Sequence, residues 1–108
     1  IDTPSIDKLI VISKNSTVLD DNSVILNWRC TGTTSMINYF IVTATKNTGT
    51  HPVGPCHNIM SNGIYRFIDT TNRNYNGSIT YAVTPVLYGN EDSHGETFTL
   101  GTVIINKE

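Results

Sequence analysis

Apolar and polar residues alternate along this chain in short runs, and the runs are separated by clusters of Asp, Asn, Gly, Ser and Pro. The clearest run covers residues 24–30, with Val24, Leu26, Trp28 and Cys30 on one side and Ile25, Asn27 and Arg29 on the other. A period of two is the signature of a strand with one buried face. The same reading predicts strands over 9–13, 37–45, 64–69, 78–88 and 96–105, and a short edge strand within 51–56, where Pro52 and Pro55 each remove a ladder donor. Turns are expected over 14–23 around Asp20-Asp21-Asn22, over 46–49 and at Asn62-Gly63. Residues 70–77 read as a polar corner interrupted by Tyr75, and 31–35 and 89–95 as loops. About seven strands with turn signals at roughly 8–12-residue spacing make one all-β, antiparallel Greek-key sandwich spanning residues 1–108.

Composition reinforces the strand pattern. The 108 residues include 16 Thr, 13 Ile and 8 Val against 2 Ala and 5 Leu, so helix formers are scarce and β-branched residues abundant. Helical and helix-rich α/β architectures are thereby excluded. The formal charge of −2, with 7 basic side chains against 9 acidic ones, argues against a nucleic-acid partner. No apolar run reaches the roughly 18–20 residues of a membrane-spanning helix, so no direct membrane insertion by this segment is expected. The N-terminal residues lack the layout of a signal peptide and an initiating Met, which reads as a domain excised from a larger modular protein.

Candidate chemistry is sparse. Cys30 and Cys56 lie 26 positions apart, and neither belongs to a C-x-x-C pair. A disulfide between them is the favoured reading. Two free thiols, or a Cys/His metal site drawing on His57 and His51, are the alternatives. A bridge over a loop of this length would contribute roughly 3–4 kcal/mol and require an oxidising compartment. Asn15-Ser16-Thr17 and Asn76-Gly77-Ser78 are N-glycosylation acceptors by pattern, which favours the same extracellular placement. No nucleophile, zinc-protease or phosphate-loop signature occurs, and the three histidines read as loop residues, so no catalytic residue, metal or cofactor is expected.

The residues Trp28 on the second strand, Tyr39 eleven positions later, and Tyr81-Ala82-Val83-Thr84-Pro85 before Gly89-Asn90 give the chain a resemblance to a fibronectin type III domain. The resemblance implies an immunoglobulin-like sandwich. Trp28 would fill the core centre, Tyr39 (or Phe40, one register away) would pack nearby, and Tyr81 would form the tyrosine corner. The chain departs from the family pattern at Tyr75 and Gly77, where Leu and Pro are usual. An antibody-type domain fits less well, because residues 78–88 contain no Cys.

The resemblance further implies a non-catalytic adhesion or recognition module. Its partner surface would lie on loops 31–35, 58–63 and 89–95, the last carrying Glu91, Asp92 and His94. No Arg-Gly-Asp tripeptide occurs in the chain. A second candidate surface comes from surplus apolar residues. If Tyr81, Val83 and Leu87 face inward, then Val86 and Tyr88 face outward beside one of the pairs Tyr39/Ile41 or Phe40/Val42. Phe40, Val42, Val86 and Tyr88 are therefore expected to form an exposed stripe for a protein partner. The rivals are a structural spacer and an accessory carbohydrate-binding module of a secreted hydrolase.

Overall fold

The computed structural model describes residues 10–31, 37–57, 63–88 and 97–106. They form seven strands: β1 (Ile10–Val18), β2 (Val24–Thr31), β3 (Ile37–Lys46), β4 (Gly49–Cys56), β5 (Ile64–Asp69), β6 (Gly77–Leu87) and β7 (Phe98–Ile105). The architecture is all-β, with two antiparallel sheets ordered β1-β2-β5 and β4-β3-β6-β7.

Each sheet turns one apolar face toward the other. Val24, Leu26, Trp28 and Cys30 are all buried, as the alternation of β2 predicts. An aromatic trio ties the layers together. Trp28 stacks on Tyr65 of its own sheet with ring centroids 5.8 Å apart, and meets Phe40 of the opposite sheet edge-on at 5.4 Å. Phe40 in turn meets Tyr65 edge-on at 4.6 Å. Offset and edge-on contacts of this kind add roughly 0.5–1.5 kcal/mol per pair beyond the area buried.

Register shifts along the ladders set the phase of the strands. β3 spends an extra residue between Ile37↔Leu87 and Tyr39↔Val86, so buried positions Ile37 and Phe40 are three apart instead of an even number. From Phe40 onward the buried set is Phe40, Val42 and Ala44. This settles the two registers left open by the sequence: Phe40 lies in the core and Tyr39 on the outer face. β7 has a similar irregularity opposite Tyr81/Ala82, and Leu100 and Val103 are both buried across it. Another falls between Val11 and Ser13 on β1.

The first strand differs most from expectation. Residues 14–18 continue β1 rather than turning, and the reversal is confined to Leu19–Ser23, closed by Leu19 N–H donating to Ser23 O at 2.8 Å, with Asn22 at φ 67°. The inward-phased positions Lys14 and Ser16 are polar because β1 lies against the edge of β7 rather than over the core. Lys14 Nζ donates to Thr99 O at 3.1 Å, and Ser16 Oγ sits where a Cβ on Gly101 would approach to 3.1 Å. β4 is an edge strand paired only with β3, as Pro52 and Pro55 require, although it begins two residues earlier than expected. Pro85 in β6 lies beyond Val83↔Phe98, the last β6–β7 pair among the described residues.

At the opposite end from Tyr39, the 70–77 corner is built around a buried carboxylate. Asp69 accepts Tyr81 Oη–H at 2.5 Å and Asn72 Nδ2–H at 2.7 Å on one oxygen. On the other it accepts the N–H and hydroxyl of Thr71. Burial alone would raise the Asp69 carboxyl pKa, but the donors from Thr71, Tyr81 and Asn72 together hold it below the usual value. The Tyr81 phenol moves up, through burial first and the neighbouring carboxylate second. Asn72 Oδ1 also takes Lys46 Nζ at 2.9 Å, and that ammonium lies 5.3 Å from the Tyr75 ring centre. Tyr75 packs on the core, and its ring would stand 3.3 Å from a Cβ on Gly77, whose φ is +141°. Tyr75 and Gly77 therefore form one fitted pair where the resembling family has Leu and Pro.

Candidate functional site

The outer face of the four-stranded sheet can be read row by row from its register. Thr50, Thr45, Thr80 and Thr102 lie in one line across all four strands. Their hydroxyls meet in two pairs, Thr45–Thr50 and Thr80–Thr102, each at 2.8 Å. Further along, Ile41 neighbours Pro55 and Thr84, and Thr84 pairs with Thr97 at 2.7 Å. The last row brings Tyr39 against Val86. Most of this face is thus occupied by threonines that satisfy one another, and its aromatic character is concentrated at one end.

That end collects Tyr39, His57 and Tyr88. Tyr39 is half-buried, and its ring lies 5.0 Å from the exposed His57 ring at a 35° tilt. Tyr88, just past the end of β6, is 58% exposed. The ends of β2, β4 and β6 and the starts of β3, β5 and β7 gather here, as the pairs Ile37↔Leu87, Phe40↔Cys56 and Arg29↔Ile64 show.

The expected stripe requires correction. Phe40 and Val42 are fully buried members of the core, because the β3 bulge turns them inward. Val86 does lie outward by alternation and is not part of the core cluster, but it is only 2% exposed and offers no free surface. Tyr88 alone of those four is open to solvent. The sequence offered His57 as a loop histidine or as a ligand of a Cys/His metal site, and did not place it beside Tyr39. The signal that could have found it is the pairing of Phe40 with Cys56, which carries His57 alongside Tyr39. Glu91, Asp92 and His94, and most of the three loops expected to carry partner contacts, lie outside the described residues.

No family model, curated protein or solved structure matches this chain.

Both cysteines are buried, and the structure holds no disulfide between Cys30 and Cys56, where the sequence favoured one. Cys30 belongs to β2 in one sheet and Cys56 to the end of β4 in the other. Cys56 Sγ–H is directed at Arg66 O, 3.2 Å away, and Cys30 and Cys56 both pack into the core. Burial pushes the Cys30 thiol up to about 11. A thiol in that state is a small hydrophobe with little nucleophilic character. The argument for an oxidising compartment consequently loses the support of a bridge. His51 Nε2 contacts Thr48 Oγ1 at 3.1 Å, and among the described residues no group of three or more His, Cys, Asp and Glu side chains could hold a metal. The sequon residues Asn15 and Asn76 are both exposed, and Thr17 Oγ1–H donates to Asn15 Oδ1 at 2.9 Å.

Proposed function

We propose that this chain is a fibronectin type III-like, non-catalytic recognition module of an extracellular protein, which binds a protein partner at the end that bears Tyr39, His57 and Tyr88. The carrying observation is what that end presents: Tyr39 against His57, and Tyr88 exposed just past β6. Exposed aromatic side chains are enriched at the centres of protein interfaces, where they give large contact area for few rotatable bonds. Here they stand on rigid strand ends at the mouth of three inter-strand connections. The division into β1-β2-β5 and β4-β3-β6-β7 supports the fibronectin-type reading, since an immunoglobulin constant domain places its fourth strand in the sheet with the first, second and fifth. Trp28 in the core and the Tyr81 corner support it as well. Two exposed sequons support extracellular placement.

The test is saturable binding to a panel of purified secreted and cell-surface ectodomains, measured for the native chain and for a Tyr88→Ser, His57→Ala double variant. One partner should bind the native chain, and the double variant should bind it at least tenfold more weakly, with a melting temperature within about 2 °C because both sites are exposed. Binding that is indifferent to both substitutions would overturn the reading, as would a panel with no saturable partner.

A further inference from the structure

The outer face of the three-stranded sheet carries a different chemistry from its opposite number. Its register puts Asn15, Asn27 and Arg66 in a single row across β1, β2 and β5. On one side of that row lie Ser13, Arg29 and Ile64, and on the other Thr17, Ile25 and Ile68. All of these positions except Arg29 and Ile68, which stand beside it on the same face, line an open depression of about 530 Å³. Arg29 and Arg66 are exposed, and neither forms an ion pair among the described residues, where the Arg73–Asp21 contact is the ion pair present. No carboxylate stands at any of the nine positions, although the chain as a whole carries a formal charge of −2.

The side chains of this face, in and beside the depression, specify a ligand class. A guanidinium offers a planar fork that matches a carboxylate, and Arg29 and Arg66 occupy diagonal cross-strand positions within reach of the same ligand. The two carboxamides each offer two donors and an acceptor, the inventory that a hydroxyl-rich ligand needs. Ile25, Ile64 and Ile68 supply aliphatic surface for a C–H face. Carboxylate, hydroxyls and an apolar ring face occur together in a hexuronate sugar.

Rival polymers match less of this. On a sheet face the backbone groups are already committed to the ladders, so an acidic peptide could not gain the main-chain hydrogen bonds that edge-strand addition provides. A nucleic acid would seek aromatic platforms and more than two cations, and none of the nine residues is aromatic. We infer that the depression over Asn15, Asn27 and Arg66 binds an acidic polysaccharide, laid across the three strands with its hexuronate carboxylates on Arg66 and Arg29. This surface is independent of the Tyr39–His57–Tyr88 end.

The experiment is calorimetric titration of the full chain, produced in a bacterial host so that Asn15 keeps its free amide. The probes are a galacturonate hexamer, its methyl ester and a hexamer of glutamate. The acid hexamer should bind saturably, at least tenfold more tightly than the ester or the peptide, and more weakly as salt is raised. Arg66→Ala and Arg29→Ala should each weaken it at least tenfold with unchanged melting, and Arg66→Lys should recover only part of the loss because it keeps the charge without the fork. Tyr88→Ser should leave it unaffected, which separates this site from the protein-binding end. The inference is overturned by equal binding of acid and ester, by equal binding of the glutamate hexamer, by affinity that survives loss of both arginines, or by no binding at all.

Discussion

Removal of the Tyr81 hydroxyl offers the sharpest test of the physical account of this fold. Tyr81→Phe keeps the fully buried ring and deletes only the donor to Asp69, which stays 1% exposed with Thr71 and Asn72 as its remaining partners. A hydrogen bond to a buried ionised acceptor contributes about 1.5–3 kcal/mol net. At about 4 °C per kcal/mol for a domain of this size, the melting temperature should fall by roughly 6–12 °C. Asp69→Asn should cost more, because an amide nitrogen replaces one acceptor oxygen and confronts either the two Thr71 donors or those of Tyr81 and Asn72. The double variant should lose clearly less than the sum of the two, since both changes delete one shared contact.

The same group sets a pH signature. The folded-state pKa of Asp69 lies below its unfolded value of about 3.9, so its contribution is fully present above that pH and is lost as pH falls through the folded value. Denaturant titrations from pH 6 down to pH 2 should therefore show a loss of stability below about pH 4 that is smaller in Asp69→Asn. On the alkaline side, the raised Tyr81 phenol contributes stability below about pH 10 that disappears above it and is absent in Tyr81→Phe. A Tyr81→Phe loss under about 0.5 kcal/mol, or an unaltered acid limb in Asp69→Asn, would refute the reasoning.

Three further outcomes follow from the packing. Trp28→Ala removes the centre of the aromatic trio and should cost about 3–5 kcal/mol by denaturant unfolding, whereas Ile68→Ser, at a site 46% exposed, should stay within about 0.5 kcal/mol. Gly77→Ala should destabilise by about 1–3 kcal/mol in the same assay, since φ +141° strains any L side chain and the new Cβ meets the Tyr75 ring. Cys30 should resist a thiol reagent in the native protein at pH 8, where it is buried and ionised to only about one part in a thousand, and should react once the chain is unfolded without reductant.

Strand positions were legible wherever an element lies mid-sheet and packs on one side only. β2 is the clear case: its neighbours on both edges and its single buried face leave a strict alternation from Val24 to Cys30. β1 was cut short because Lys14 and Ser16 are inward by phase but face the edge of β7, where polar groups are tolerated. The phase of β3 was undetermined because apolar residues stand on both sides of a bulge, and only pairing with β6 shows that Phe40 and Val42 turn inward. The groove was invisible for another reason. Asn15, Asn27 and Arg66 come from three separate strands, and each alone looks like an ordinary solvated residue; only the register makes them a row. Trp28 and Tyr81 are both fully buried, but the acceptor of the Tyr81 hydroxyl is a carboxylate twelve residues upstream that composition and spacing do not reveal.

The position of Asn15 makes two chemistries mutually exclusive. The amide nitrogen at the head of the central groove row is the same atom that an N-linked sugar would occupy, so a chain modified there carries its own glycan over Asn27 and Arg66. Secretory processing would then act as a permanent occupant, sealing one sheet and leaving only the Tyr39–His57–Tyr88 end open. An unmodified chain would keep both surfaces. One covalent bond, made before the domain meets any partner, would decide whether it works with one hand or two.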